Sequence, residues 1–472
     1  MTERLSLTLD RSARISLSEQ IRRGISAAIE AGVLVPGARL PSWLDLAIQL
    51  GVARGTVRLA YEKLSAAQLI VASRRSGTRV ADRPRAMARQ EPPPDPGSFM
   101  EMYRERTWER TAGLAIFKMG VPAQETFPAK LLAGIRSRAI RAESSIPALY
   151  PDPRGEPELR REIAAYLAVA RGIECSASQV IITGGFAGGL GLALRVLGLE
   201  GRRVWMEDPG FPFARHGLEL ARLSPVPIPV DAEGIDVDHG LRHAPDAALA
   251  IVTPGQQAPL GSTLSLARRL RLLDWAAREG AWVIEDDYLG ELQLKGRATP
   301  ALASLDRAGR VIHIGSFSKT ISPAWRLGFV VVPAQLASRF AEVAACLAPA
   351  PGTALQLATA MFMREGYYLR HLRRTKRVYS AQRDALLECL RPGAERVEPA
   401  GLAVLLWLPA GAQDQSIARA LVPLGLAPTP LSIWYASPAS ARPGLLLGVA
   451  TAPQKHLARS CDTLRAVIER LT

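Results

Sequence analysis

The side chains best suited to chemistry follow short apolar runs that are predicted to be β-strands. Two carboxylates and a phenol follow the run Trp282–Glu285, and two serines, a lysine and an arginine follow Val311–Ile314. These residues are Asp286, Asp287, Tyr288, Ser316, Ser318, Lys319 and Arg326. A third run, Val180–Thr183, leads into the glycine-rich segment Gly184–Gly189 and a predicted helix. Because ligands of parallel sheets collect at the carboxyl ends of the strands, we expect these groups to share one site.

This combination of groups suits pyridoxal 5′-phosphate (PLP). Lys319 would form an imine with the cofactor aldehyde, and a carboxylate would keep the pyridine nitrogen protonated so that the ring can withdraw electrons. A phenol would hydrogen-bond the ring oxygen O3′. Helix N–H groups, hydroxyls and an arginine would bind the phosphate dianion. The sequence therefore predicts a PLP site around Lys319.

The composition is that of a globular chain of more than one domain. Its 472 residues are 48% apolar and 22% charged. A net charge of +15 favours an acidic partner, although a genomic bias towards arginine can also produce it. The cysteines form no Cys-x-x-Cys pair, and no metal site is predicted. The sequence contains no apolar run of about 18 residues, as a membrane span would need, and no signal peptide pattern. We therefore expect a cytoplasmic protein without a membrane partner.

A proline-rich segment, residues 82–110, predicts a linker between two domains. It holds five prolines, which lack a backbone donor and cannot belong to a regular core. The predicted domains are residues 1–81 and residues 111–472. In the second, apolar β-branched runs alternate with helical stretches. This alternation predicts an α/β fold with a mainly parallel sheet.

The first 81 residues have the pattern of a winged helix-turn-helix. A predicted helix, Leu17–Ala31, precedes a short helix that starts after Ser42 and ends near Leu50. A further helix, about Arg54–Ala66, is followed by a hairpin with a basic tip, Arg74–Gly77. In this arrangement one helix lies in the major groove and the wing approaches phosphates. The segment is therefore predicted to bind double-stranded DNA.

The same segment resembles the GntR family of bacterial regulators. The resemblance rests on the motifs Pro36–Ala47 (PGARLPSWLDLA) and Gly51–Arg58 (GVARGTVR). The DNA-contacting residues that it implies are Ser42, Arg54, Thr56, Arg58, Arg75 and Gly77. Two positions depart from the family pattern, because a DNA-contacting arginine is Leu44 here and a serine is Ala53. We therefore expect an altered operator sequence or weaker binding.

From about residue 111 the chain resembles fold-type I aminotransferases. The resemblance is closer to the aminotransferase-like half of MocR/GabR-type regulators, which join a GntR winged helix to such a domain. It rests on four motifs, Tyr150–Gly155, Glu207–Phe211, Glu285–Tyr288 and Ile314–Phe329. It implies that Lys319 is the Schiff-base lysine, that Asp286 binds the pyridine nitrogen and that Tyr288 binds O3′.

Further contacts are also implied by this resemblance. The phosphate would be held by the side chains of Ser316, Ser318 and Arg326. The backbone N–H groups of Gly185, Phe186 and Ala187, at the start of a helix, would also bind it. Phe211 would stack on the ring. Tyr150 would reach the phosphate bound in the other subunit, which implies a homodimer.

Two departures bear on function. The phosphate loop lacks the hydroxyl and amide side chains usual in the family, which leaves backbone N–H groups. The arginine that binds a substrate carboxylate in aminotransferases aligns with Leu446, and Arg442 is out of register. We therefore expect PLP binding with little or no turnover of common amino acids.

The favoured hypothesis is a transcription regulator that binds operator DNA and senses a small molecule through PLP. The effector would be an amine, an amino acid or PLP itself. One alternative is a working aminotransferase with an appended DNA-binding module, and another is a regulator that has lost PLP. The sequence does not name the effector or the target genes, nor whether transcription rises or falls.

Overall fold

The computed structural model divides the chain into two compact units, Met1–Glu109 and Arg110–Thr472. It describes residues 7, 9–13, 15–73, 77–81, 115–145, 147, 149–294, 296, 298–391, 396–452 and 454–472. The predicted linker, residues 82–110, lies outside the described residues. The tip of the predicted wing, with Arg75, also lies outside them.

Three helices and a hairpin form the N-terminal unit. They are α1 (Leu17–Glu30), α2 (Trp43–Leu50), α3 (Arg54–Ala66), β1 (Ile70–Ser73) and β2 (Gly77–Val80). The oxygen of Ser42 caps α2 by accepting a hydrogen bond from the backbone N–H of Asp45 at 3.1 Å. Gly51 ends α2 with a φ of +61°, which glycine adopts without strain. The winged helix-turn-helix prediction is confirmed.

One apolar core holds these elements together. Ile21 and Ile25 of α1 are fully buried and pack with Leu46 of α2 and with Val57 and Leu64 of α3. The spacing of these residues places one apolar stripe on each helix. The remaining faces stay open to solvent.

An eight-stranded sheet forms the centre of the large unit, in the order β3-β10-β9-β8-β7-β4-β5-β6. The strands are β3 (Val180–Thr183), β4 (Arg203–Asp208), β5 (Ser224–Asp231), β6 (Gly234–Ile235), β7 (Leu249–Val252), β8 (Trp282–Asp287), β9 (Val311–Ser316) and β10 (Gly328–Val331). The pairs between β9 and β5 are parallel, while β10 runs antiparallel to β9 and β3. The prediction of a mainly parallel sheet is confirmed.

Helices cover this sheet and continue beyond it. They are α4 (Ala129–Ser144), α5 (Pro157–Ala170), α6 (Gly185–Leu197), α7 (Pro212–Leu220), α8 (Val237–His243), α9 (Leu266–Glu279), α10 (Ala337–Leu347), α11 (Thr353–Arg364), α12 (Tyr367–Leu390), α13 (Asp414–Leu421) and α14 (Leu457–Leu471). Strands β4, β8 and β9 extend two residues beyond their predicted ends, because ladder pairing continues into the polar residues. Asp286 and Ser316 therefore lie within strands.

A second sheet was not predicted from the sequence. It is antiparallel, in the order β11-β12-β14-β13. Its strands are β11 (Val397–Ala400), β12 (Ala403–Trp407), β13 (Thr429–Pro430) and β14 (Gly444–Gly448). The helices of the described chain include none long and apolar enough to cross a membrane.

Replacing Ile21 by alanine should lower the free energy of unfolding of the N-terminal unit by about 2–5 kcal/mol, because it leaves a cavity in that unit's core. The milder Ile21→Val change should cost about 0.5–1.5 kcal/mol. Limited proteolysis of the full chain on heating, with the cuts mapped, measures both effects. Equal loss of protection in the large unit would contradict the separate stability of the two units.

Candidate cofactor site and DNA-binding face

The central sheet brings the predicted chemical groups to one edge. β8 and β9 are parallel neighbours, and Asp286 of β8 is paired with Ile314 of β9. In β10, Gly328 is paired with Ser316 on one side and with Thr183 on the other. The carboxylate, the lysine loop and the glycine-rich segment therefore meet at the ends of these strands.

Lys319 is partly buried in the loop that follows β9. Its Nζ donates a hydrogen bond to the carbonyl oxygen of Gly120 at 2.8 Å. Burial lowers the pKa of Lys319 to about 8, while the carboxylate of Asp286 acts in the opposite direction. A lowered pKa keeps more of the amine neutral near physiological pH, and the neutral amine is the form that attacks a carbonyl carbon.

Asp286 is buried, and its pKa is raised well above the ordinary value. Burial is the main cause, and the carboxylates of Asp287 and Glu207 add to it. A cation against Asp286, such as a protonated pyridine nitrogen, would offset this effect. Burial and Asp286 also raise the pKa of Tyr288, so its phenol keeps a proton that it can donate. The three groups fit the ring of PLP.

The start of α6 forms a backbone cradle beside an arginine. Gly185 has a φ of +78°, and a Cβ atom on Gly328 would lie 2.9 Å from the Gly185 Cα, so the two chains meet closely. Arg326 donates from Nη2 to the carbonyl oxygen of Gly184 at 3.1 Å. The φ of Arg326 is +47°, in the left-handed region. This conformation is strained for any residue other than glycine, and such residues are often found at functional sites. A helix start beside a guanidinium fits a phosphate group.

The other predicted phosphate contacts lie around this cradle. Ser316 donates from Oγ to Ser318 Oγ at 3.0 Å, and the Ser318 backbone N–H bonds back to Ser316 Oγ. Phe186 and Ala187 occupy the first turn of α6. Ala187 is exposed, while Phe186 packs edge-on against Phe211 with ring centroids 6.0 Å apart. The structure thus brings the two serines and the helix start together.

Phe211, the N-cap residue of α7, belongs to an aromatic cluster that the sequence did not predict. Its ring lies 5.9 Å from that of Trp434, between centroids. The carbonyl oxygen of Trp434 accepts a hydrogen bond from the backbone N–H of Gly210 at 3.0 Å. Trp434 was missed because no local pattern links it to the segment around Phe211.

Tyr150 is also a predicted cofactor-site residue. In a single chain its side chain is fully exposed. The rest of its motif is fixed by Asp152, whose carboxylate accepts hydrogen bonds from Arg154 at 2.8 Å and Arg160 at 2.9 Å. The role of Tyr150 towards a partner subunit stays a prediction.

Two buried ion pairs lie behind Asp286 on the opposite face of β8. The carboxylate of Asp287 accepts hydrogen bonds from Arg171 at 2.7 and 3.0 Å, and Glu285 lies 3.0 Å from Nδ1 of His313. Side chains alternate along a strand, so these two carboxylates point away from the face of Asp286. The sequence analysis missed these pairs because Arg171 is distant along the chain. The alternation of side chains along β8 could nevertheless have shown that Glu285 and Asp287 lie on the face opposite Asp286.

On the DNA-binding face, Arg54 and Arg58 lie exposed along α3, with Thr56 partly buried between them. Arg58 also forms an ion pair with Glu62 at 2.9 Å. At the wing, Gly77 has a φ of +76°. The contact of these residues with DNA stays a prediction.

The substitutions in the DNA-binding motif have local consequences. Ser42 is engaged in capping α2, and it also donates to the carboxylate of Asp45 at 2.7 Å. Ala53 is the N-cap residue of α3 and makes no capping hydrogen bond from its side chain, which a serine there could supply. Leu44 is partly buried and offers no charge to a phosphate.

Comparisons with known proteins agree with both units. The family "Aminotransferase class I and II" matches residues 114–462, and "Bacterial regulatory proteins, gntR family" matches residues 17–80. The chain is 34% identical to the probable rhizopine catabolism regulatory protein MocR of Rhizobium meliloti, over 98% of this chain and 95% of the relative. The chain belongs to the MocR/GabR-type subfamily of GntR regulators.

Two further comparisons fit this membership. The chain is 31% identical to the pyridoxine biosynthesis transcriptional regulator PdxR of Corynebacterium glutamicum, over 79% of this chain and 78% of the relative. An archaeal alanine:glyoxylate aminotransferase shares the fold, with a TM-score of 0.72 at 24% identity, over 79% of this chain and 95% of that one. This MocR-type chain is therefore a transcriptional regulator with an aminotransferase-like domain, which decides against the alternative of an aminotransferase with an appended module.

Replacing Arg58 by alanine should weaken DNA binding by about 1–3 kcal/mol and make the dependence of affinity on salt less steep, because a contact to a base or phosphate is lost. The probe is the intergenic DNA beside the gene for this chain, titrated at several salt concentrations. Arg23→Ala is the control, since Arg23 is also exposed and paired with a glutamate, but lies on α1. Binding that is insensitive to salt would contradict a role for α3 in DNA recognition.

The rate at which Lys319 captures PLP should rise with pH and level off above about pH 8, because a lowered pKa leaves the amine neutral above that value. Asp286→Asn should shift this profile to lower pH, since the carboxylate of Asp286 raises the pKa of Lys319. Stopped-flow absorbance of the cofactor-free protein mixed with PLP measures both profiles. A profile for Asp286→Asn at higher pH would show that the two groups do not interact as described.

Proposed function

We propose that this MocR-type regulator binds operator DNA as a homodimer and changes its activity when a small-molecule effector binds at a PLP site. The observation that carries the proposal is the convergence of Lys319, Asp286 and Tyr288 at the ends of neighbouring strands. Burial lowers the pKa of the lysine, which favours the amine that attacks a carbonyl, and raises that of the phenol, which keeps its proton. Burial also raises the pKa of Asp286, an effect that a protonated pyridine nitrogen would offset.

Each of these residues has a distinct role in the proposal. PLP, when bound, supplies a carbonyl carbon for a covalent bond and a ring that withdraws electrons. Lys319 would form that bond through Nζ. Asp286 would hold a proton at the pyridine nitrogen, and Tyr288 would donate a hydrogen bond to O3′.

The remaining site residues would hold and orient the cofactor. Arg326 and the two serines, Ser316 and Ser318, would bind the phosphate together with the backbone N–H groups of Gly185, Phe186 and Ala187. Phe211 would stack on the ring. Support for these roles comes from the cradle at the start of α6 and from the position of Phe211 beside Phe186.

The homodimer is supported by Tyr150. An exposed tyrosine next to a segment fixed by ion pairs is suited to contact a second subunit. We assign residues 1–81 to DNA binding, residues 82–110 to the linker, and residues 111–472 to PLP binding and dimerisation. Operator binding requires access to DNA, and we place the protein in the cytoplasm.

The effector is an amine, an amino acid or PLP itself, and we propose that the site senses without physiological turnover. Transamination needs the substrate held with its Cα–H bond perpendicular to the cofactor ring, and a bidentate arginine–carboxylate pair is suited to this task. Leu446, at the aligned position, is fully buried and cannot form such a pair.

Borohydride reduction of the full chain after incubation with PLP should fix the cofactor on Lys319, as found by peptide mapping. The protein should be yellow before reduction, and Lys319→Ala should be neither yellow nor labelled. Lys376→Ala, which removes a lysine on α12, is the matched control and should behave as the unaltered chain. Colourless protein, or label on another lysine, would refute the proposed PLP site.

A further inference from the structure

One face of the four-stranded sheet turns towards the proposed cofactor site. Along β12, Ala403 and Leu405 pack in one apolar cluster while Val404 and Leu406 pack in another, as the alternation of a strand requires. In β14, Leu446 is paired with Leu405 and joins the same cluster. We call this cluster the apolar wall, and its buried members include Ala258, Ala403, Leu405, Leu431, Trp434 and Leu446.

The apolar wall adjoins the residues proposed to touch the cofactor. Phe211 and Tyr288 are both packed against it. Met119 also joins it, from the segment in which Gly120 accepts the hydrogen bond of Lys319. A molecule held beside Lys319 would therefore meet apolar side chains.

The desolvated surroundings of the wall also disfavour an anion. Burial raises the pKa of Glu207 to about 7, even though hydrogen bonds from Thr253 and Gln257 stabilise its carboxylate. The buried carboxyl of Asp286 is likewise held away from its charged form. A further carboxylate would meet the same desolvation cost.

Two arginines near the wall are already engaged. Arg442 is exposed, and its guanidinium lies over the ring of Trp407 at 4.2 Å. Arg215 donates from Nη2 to the carbonyl oxygen of Trp434 at 3.1 Å and is attracted by the carboxylate of Asp208. Neither arginine is left without a partner, so neither is set up to receive a carboxylate beside the wall.

We infer that the effector is a primary amine with an apolar remainder and without a carboxylate on the carbon that bears the amine. The inference narrows the effector class of the proposed function and rests on it, because the amine is placed beside PLP on Lys319. The partly exposed apolar residues at the edge of the wall, Met119, Phe211 and Tyr288, receive the remainder of the molecule. The desolvation of this region and the engagement of the two nearby arginines disfavour a carboxylate.

Matched pairs of an amine and its parent amino acid test this inference in the PLP-loaded full chain. The pairs are phenethylamine with phenylalanine, tyramine with tyrosine, and isoamylamine with leucine. In at least one pair the amine should bind tenfold or more tightly than the amino acid, measured by calorimetry and by the change in cofactor absorbance. Putrescine, with a second charge, should bind more weakly than isoamylamine.

The outcomes separate this inference from the proposed function. Protein that does not label on Lys319 refutes the proposed PLP site. Protein that labels on Lys319, but binds amino acids as tightly as the amines or binds neither member of any pair, overturns the inference alone. Keto-acid formation from any of these amino acids with catalytic turnover would overturn it as well.

Variants test which residues discriminate. Leu446→Arg should reduce or reverse the preference for the amine, because it supplies a cation at the wall, and folding is checked by circular dichroism. A folded Leu446→Arg protein with the original preference would overturn the assignment of the wall. Arg442→Gln should leave the preference unchanged, and amino-acid binding that disappears in this variant would instead identify Arg442 as an anchor for a carboxylate. If Leu446→Arg does not fold, the matched pairs in the unaltered chain still decide.

Discussion

The parallel pairing of β8 with β9 is the constraint on which the cofactor site depends. It carries the carboxylate of Asp286 and the loop of Lys319 to the same edge of the sheet. The end of β8 is polar, and its other two acids have buried partners. Asp287 binds Arg171 and Glu285 binds His313, both in the buried layer behind Asp286. Breaking a buried pair leaves an uncompensated charge, so this arrangement resists movement of the strand end.

This support has a consequence for the chemistry in front of the strand. The two ion pairs satisfy the neighbours of Asp286, whereas the charge of Lys319 opposes the rise in the pKa of Asp286 itself. The buried acid is thus available to a cation on the cofactor ring. The same burial that raises its pKa also lowers that of Lys319. One desolvated environment therefore favours the uncharged form of both the acid and the amine.

The two sheets contribute different kinds of side chain to the candidate site. The central sheet supplies polar groups suited to a cofactor, and the antiparallel sheet covers them with apolar side chains. Such a division suits sensing, because binding requires contacts that hold a ligand, whereas transamination also requires a group that fixes the orientation of a carboxylate. Leu446, at the position that the resemblance aligns with an arginine, cannot fix the orientation of a carboxylate. The contacts that would hold a ligand do not depend on it. The N-terminal unit, with its own core, retains the helices and wing of a DNA-binding module.

The sequence by itself determined the local features of this protein. Capping at Ser42, the glycine turn at Gly51 and the apolar periodicity of α1 to α3 depend on neighbours in the chain, so the winged helix could be predicted. The alternation of strands and helices and the residues after each strand likewise predicted the parallel sheet and the Lys319 site. Ladder pairing, which depends on the neighbouring strand, moved the strand ends to Asp287 and Ser316.

Tertiary structure alone decided which distant residues surround that site. Arg171, Trp434 and the apolar wall reach it from segments that share no periodicity with the residues they contact, so no local pattern reveals them. The antiparallel sheet escaped prediction for a related reason. Its strands are short and lie between loops, and only their pairing with each other and their packing on neighbouring helices make them strands. Local sequence thus fixes which groups are present, while long-range packing fixes the charge and polarity that those groups experience.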